Sequence, residues 1–248
     1  MTITNSQTGT SIEEIADHIY RVSTPIPPSA EMPPGFSFNQ LLIAAEQPLL
    51  FHTGPRAMFP LVREAVRAVL PPEELRYIGF AHTEGDECGS LDQWLTLAPR
   101  AQPLCSRIAA MTFGHDALDR PLRAMADGER LDLGGFEVCW LDAPHVPHGW
   151  DNGFLAEVRT RTLFCGDLFT QAGATNPAIT ESDILEPSER MRGMMDYYSH
   201  GTNTQHHLER LAAFEPRVLA CMHGSAYAGD GAALLRELSR RLARENES

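Results

Sequence analysis

Apolar residues in this chain fall in short runs set off by polar, glycine-rich or proline-rich stretches. His18 to Val22 reads as a strand, and the five prolines between Pro25 and Pro34 mark a loop. The runs LLIAA and PLLF within 38–51, split by Glu46-Gln47, predict a hairpin. Helical spacing covers 57–70 and stops at Pro71-Pro72. A strand at 77–81 follows, then a helix at 91–97 with Ser90 as its N-cap and a short helix at 105–112. Residues 130–141 and 154–164 read as strand-rich, with the alternation of EVRTRTLF suggesting a half-exposed strand. Helices are expected at 187–199, 205–214 and 232–244, and a buried strand at 218–222. In the last helix, leucines interleave with Arg236, Arg240, Arg241 and Arg244, which together with Glu237 form its solvated face. Residues 1–10 are polar and expected to be disordered.

Strands occur in both halves with helices between them, and no linker or internal repeat divides the chain. This order suits an α/β sandwich of two helix-covered sheets better than one doubly wound sheet, and a single domain over 1–248.

Composition narrows the function. A net charge of −13 disfavours a nucleic-acid surface. No apolar run nears the roughly 18 residues of a membrane helix, so no membrane role is expected. The N-terminus has neither the basic nor the apolar region of a signal peptide. Five cysteines form no CxxC pair and suit buried free thiols in a reducing cytoplasm.

The chemistry concentrates in Phe80-Ala81-His82-Thr83-Glu84-Gly85-Asp86-Glu87. Alternation puts His82, Glu84 and Asp86 on one side of an extended segment. His148 in HGWDNG, Asp167 in FCGDLF and His223 in CMHGS each follow an apolar segment and lie near a glycine. Strand ends converging on one sheet edge would gather three imidazoles and three carboxylates, enough for two metal ions sharing a bridging carboxylate. Three carboxylates against two divalent ions leave one positive charge, and anionic oxygen donors favour iron over zinc.

These motifs, in this order, resemble the metallo-β-lactamase superfamily, whose fold is an αββα four-layer sandwich. They run from HTG at His52 to MHGS at His223. The usual first motif, HxHxDH, is changed here: Glu84 and Glu87 stand where histidines are expected, and His52 stands where aspartate is common. The HxExD form resembles the di-iron branch, the flavodiiron proteins and their flavodoxin-free relatives. The intervals agree with that branch, with 61 residues between Asp86 and His148, 18 between His148 and Asp167, and 55 between Asp167 and His223.

The resemblance implies that His82, Glu84 and His148 hold a first iron, Asp86 and His223 a second, and that Asp167 bridges them. Two zincs, a mixed iron–zinc pair or manganese are the alternatives. Glu87 is open to three readings: a ligand to the second iron, a partner of a coordinated water, or a residue facing away. His145 is expected beside the ligands rather than among them, and His52 in a turn, with a place behind the ligands as its alternative. Tyr197 or Tyr198 would sit by the metal pocket as a hydrogen-bond donor or as helix packing. Phe36, Trp150 and Phe169 are candidates for an apolar access route. His206 and His207 are expected in solvent, and His18, His115 and His200 have no supporting context.

The implied function is binding, and reduction, of O2 or NO. The sequence runs only 25 residues beyond His223 and shows no rubredoxin-like cysteine set, so electrons are expected from an external flavin or rubredoxin-type protein. A homodimer is a candidate assembly. The alternatives are a dinuclear hydrolase acting on an ester, thioester, lactone or phosphodiester, and a gas or redox sensor without turnover.

Overall fold

The computed structural model describes residues 1–118 and 120–245. Eight strands form one sheet in chain order: β1 (Thr2–Asn5), β2 (Thr10–Ala16), β3 (Ile19–Ile26), β4 (Phe36–Ile43), β5 (Leu49–Phe51), β6 (Tyr77–Gly79), β7 (Gln102–Ser106) and β8 (Arg123–Met125). Seven more form a second sheet: β9 (Arg130–Asp132), β10 (Glu137–Asp142), β11 (Gly153–Glu157), β12 (Thr162–Phe164), β13 (Ile179–Thr180), β14 (Val218–Ala220) and β15 (Ala226–Ala228), in the order β13-β15-β14-β12-β11-β10-β9. Three helices, α1 (Phe59–Arg67), α2 (Leu91–Leu97) and α3 (Arg107–Ala117), accompany the first sheet; α4 (Leu185–Met195), α5 (Thr204–Ala213) and α6 (Gly231–Glu245) accompany the second.

The strands alternate between two cores. Leu41, Ile43, Leu49 and Phe51 meet Trp140, Leu155, Phe164 and Ala220 between the sheets. Leu42 and Leu50 face the other way, onto Val62, Val66, Leu91 and Trp94. Phe154, Leu163 and Leu219 likewise pack outward on Leu208, Leu211, Leu235 and Leu238. Both faces of the central strands are covered, which accounts for their uninterrupted apolar runs. The result is the expected αββα four-layer sandwich.

Local differences from the sequence reading have identifiable causes. Residues 1–10 are not disordered: β1 pairs antiparallel with β2, its polar residues being stabilised by ladder hydrogen bonds at an edge. EVRTRTLF is a hairpin, not one strand. The Glu157 carboxylate accepts from the backbone N–H of Arg159 and Thr160, and Arg161 takes a left-handed φ of 56° at the reversal. The segment read as helix from Cys105 opens as β7, parallel to β6 and β8; helix begins only after Ser106, whose hydroxyl accepts from Ala109 N–H.

Strand direction positions the candidate residues. β5 and β6 run parallel, as do β12 and β14, and β10 runs in the same sense as β12 through the intervening antiparallel β11. Loops leaving the C-terminal ends of β5, β6, β10, β12 and β14 therefore emerge at a common edge of each sheet. They carry His52, His82–Glu87, His148, Asp167 and His223.

Candidate metal centre

The six candidate ligands converge at this edge. His82 Nε2 lies 2.7 Å from Glu84 Oε2, and His148 Nε2 lies 3.1 Å from the same oxygen. Asp167 Oδ2 completes the group, 3.2 Å from His148 Nε2 and 3.7 Å from His82 Nε2. Ligand-capable atoms of these four residues all lie within 4.8 Å of one another. On the other side, Asp167 Oδ1 is 3.2 Å from His223 Nε2, which also lies 3.4 Å from Asp86 Oδ2. The two oxygens of Asp167 thus face two different sets of donors.

Backbone carbonyls orient two of the imidazoles. His148 Nδ1 contacts the Tyr197 carbonyl at 2.7 Å, and His223 Nδ1 contacts that of Ser37 at 2.9 Å. A carbonyl only accepts, so each Nδ1 carries the proton, and a neutral ring presents the bare Nε2 lone pair to the centre. Bare Nε2 atoms and ionised carboxylates at 3.1–3.4 Å are both acceptors and repel unless a cation lies among them. The donor set therefore fits metal ions.

Charge perturbations follow from the same arrangement. Burial lowers the His82 pKa, but the Glu87 charge and contacts to Glu84 and Glu87 outweigh it and raise it to about 12. Burial likewise opposes Asp167 and Glu84 at His148, which is still raised to about 10. At His223, burial is outweighed by Asp167 and Asp86, again raising the pKa to about 10. Contacts from His148 and His82 hold Glu84 down at about 2. Asp167 lies well below the usual carboxylate range because His148 and His223 outweigh its burial. In a metal-free chain, protons on the imidazoles supply the cationic charge that the carboxylates demand.

Access is uneven. His82, Asp167 and His223 are buried, whereas the Glu84 side chain is 49% exposed. A cleft of about 430 Å³ adjoins it, lined by Arg56, Thr83, Cys88, Leu91 and Phe113 among others. Phe36 stacks on His223 with ring centroids 4.4 Å apart, and Phe38 meets it edge-on. Trp150 instead lines a small cavity with Arg107 and Ile108, and Phe169 is buried in the outer core of the second sheet.

Of the remaining candidates, Glu87 is fully buried behind His82. Its Oε2 accepts from the backbone N–H of Ala81 and His82, and its Oε1 faces His82 Nδ1 at 3.2 Å. His145 is exposed, and its backbone N–H closes a loop onto the Gly149 carbonyl. Tyr197 packs edge-on against His148, and Tyr198 lies beneath it in the core. Burial pushes both phenols up, with the Asp167 charge adding to the effect at Tyr197. His207, expected in solvent, is buried on α5. The His115 side chain lies outside the described residues.

Residues without an evident sequence signal brace the ligand loops. Asp151 Oδ2 accepts from Thr83 N–H and Oγ1, and Asn152 donates to the Val146 carbonyl. Arg21 and Asn39 donate to the Gly224 carbonyl from the opposite sheet. Gly149, at φ +78°, lies against the His82 ring, where a Cβ would sit 3.0 Å from Cδ2.

Comparison with known proteins agrees with this architecture. A Nostoc sp. protein described as diflavin flavoprotein A 2 is 32% identical over 139 residues, 54% of this chain and 24% of its own length. The rubredoxin-oxygen oxidoreductase of Megalodesulfovibrio gigas is 25% identical over 213 residues, 79% of this chain and 50% of its own. These matches thus span a quarter to a half of the two relatives. A metal-soaked flavodiiron core from Synechocystis sp. superposes with a TM-score of 0.79 at 20% identity, covering 96% of this chain and 62% of that one. That likeness establishes the shared fold. The family model for ODP family beta lactamase matches residues 36–224, from the start of β4 to the loop that carries His223. The chain belongs to the ODP family of beta lactamases, within the metallo-β-lactamase superfamily.

Proposed function

We propose that this chain is a non-haem di-iron protein that binds, and reduces, O2 or NO at a carboxylate-bridged centre. The observation that carries the proposal is the division of Asp167, with one oxygen toward His82, Glu84 and His148 and the other toward Asp86 and His223. In this reading the first three residues hold one ion, Asp86 and His223 hold the second, and Asp167 joins them. Two bound irons would supply one-electron redox chemistry and open positions for a diatomic molecule.

The chain's own residues define the setting for that chemistry. Tyr197 and Ser37 carbonyls retain the Nδ1 protons of His148 and His223, so their Nε2 atoms serve as donors. Phe36 and Phe38 keep water from one flank of His223. Asp86 and His223 provide fewer protein donors than the other group, leaving that side the more open to an exogenous ligand. Glu84, half exposed, faces the adjoining cleft, the natural approach for an electron donor.

Names of the matched proteins support the remaining assignments. An oxygen oxidoreductase paired with rubredoxin, a diflavin flavoprotein and a flavodiiron core all imply flavin- or rubredoxin-type electron delivery. We assign an external donor of that kind, a cytoplasmic setting suited to five free cysteines, and a single metallo-β-lactamase-like domain, for which a homodimer is a candidate assembly. Among the described residues, no helix is long and apolar enough to cross a membrane.

Anaerobic purification with metal quantification tests the proposal. Two irons per chain, and O2 or NO consumption sustained by an added reductant, are expected. A single round of iron oxidation without sustained consumption would make the protein a sensor. Two zincs in a colourless protein that hydrolyses esters or phosphodiesters would make it a hydrolase.

A further inference from the structure

His52 is a fully buried histidine in a left-handed backbone conformation, with φ 65°. Such a conformation strains a β-carbon-bearing residue and persists only where its surroundings enforce it. Here the His52 N–H donates to the Gly79 carbonyl at 2.8 Å, and the next residue, Thr53, donates its N–H to the Glu87 carbonyl at 2.7 Å. The β5 and β6 loops are thereby locked together. The lock brings His52 Nε2 to 3.5 Å from Glu87 Oε1, the same oxygen that faces His82 Nδ1 at 3.2 Å. Among the described residues, Glu87 Oε1, His82 Nδ1 and His52 Nε2 are buried without a hydrogen bond of ordinary geometry, as is His52 Nδ1. Three buried polar atoms therefore have one another as their nearest complement, at a depth where an unmatched group is costly.

We infer that His52 and Glu87 form one polar pair that positions His82, with Glu87 Oε1 as the acceptor facing His82 Nδ1–H and His52 Nε2 backing Glu87 from behind. Both residues are departures from the superfamily pattern, with an acid where a histidine is expected and a histidine where an acid is common. Their contact makes the two departures a single exchange. Glu87 accordingly aims its carboxylate at His82's rear nitrogen, away from Asp86 and His223. The role for metal rests on the di-iron reading; the coupling of the two residues does not.

Two measurements on the full chain separate these parts. In metal-free protein, His52→Asp sets two carboxylates together and Glu87→His sets imidazoles together, so each lowers the urea midpoint. The double exchange His52→Asp with Glu87→His recovers most of that loss. Additive losses in the double variant would overturn the pairing. The second measurement titrates Fe(II) anaerobically. Glu87→Gln keeps an oxygen for the Ala81 and His82 amides but turns an NH2 toward His82 Nδ1. It is expected to weaken the ion held by His82 by about 10- to 100-fold, and the ion at Asp86 and His223 much less. Equal weakening of both ions, or none, would reduce Glu87 to a packing residue. A wild-type chain that takes up no iron would defeat the di-iron reading, while the urea series still decides the pairing.

Discussion

The Nδ1 of His223 donates to the backbone carbonyl of Ser37 at 2.9 Å, across 186 positions of sequence and between the two sheets. The Ser37 hydroxyl also accepts from Gly224 N–H, so one residue of β4 holds both the ring and the loop that bears it. A candidate ligand of the second sheet is thus oriented by the first. The centre should form only when the sandwich is assembled, and its loss should be separable from loss of the fold.

Asp167→Ala should make that separation visible. Its carboxylate is buried and faces three imidazoles, so its removal takes a partner from both donor sets. Metal content should fall from two ions to less than one per chain, with far-ultraviolet circular dichroism retained. Removing one partner of a buried charged contact costs up to roughly 3–5 kcal/mol, which the metal-free urea midpoint would register. Two ions retained at wild-type affinity would exclude Asp167 as the bridge.

Glu84→His exchanges an anionic oxygen donor for a neutral nitrogen at the most exposed of the ligand positions. Zinc should gain on iron when both compete in equal amounts during refolding, because imidazole-rich sites suit zinc. Unchanged iron occupancy would mean that Glu84 does not set the metal preference.

Stability should depend on pH in opposite senses with and without metal. The folded-state pKa values of His82, His148 and His223 are raised, to about 12, about 10 and about 10. A raised value contributes stability that is complete below the unfolded value of about 6.5 and is lost as pH climbs through the folded value. Metal-free protein should therefore weaken steadily between about pH 6.5 and pH 10. Metal uptake displaces those protons, so affinity should rise over the same window. Urea midpoints measured from pH 6 to pH 10 on both forms check the sign; a metal-free midpoint that rises with pH would contradict the charge balance described above.

Gly149→Ala tests a close approach. The residue sits at φ +78°, and the new Cβ would lie 3.0–3.1 Å from three atoms of His82. A cost of about 1–3 kcal/mol is expected from the backbone conformation alone, together with weaker binding of the ion held by His82. Thermal denaturation with and without iron distinguishes the two effects.

Much of this molecule can be read directly from local pattern. Apolar runs located the central strands because both faces of these sheets are covered, and α2 begins after Ser90, although that hydroxyl donates to the Thr53 carbonyl and does not cap the helix. The candidate ligands were legible because metal chemistry restricts residue type, and because each lies just beyond a strand. Patterns failed where neighbours rather than composition stabilise the chain. Polar Thr2–Asn5 is a strand because β2 supplies its hydrogen bonds, and the Val158–Arg161 reversal depends on Glu157 capping a turn that alternation mimics. Tertiary structure alone revealed how the site is held. The carbonyls of Ser37 and Tyr197 orient His223 and His148, and a backbone acceptor has no residue-type signature. It also set the direction of the Glu87 carboxylate, toward His82 Nδ1, because local sequence cannot say which way a buried carboxylate turns; the contact with His52 arises only when β5 and β6 lie side by side. Sequence determined which donors were available, since that is a property of side-chain chemistry. Folding determined which atoms face one another, since that depends on strand direction and on hydrogen bonds between distant segments.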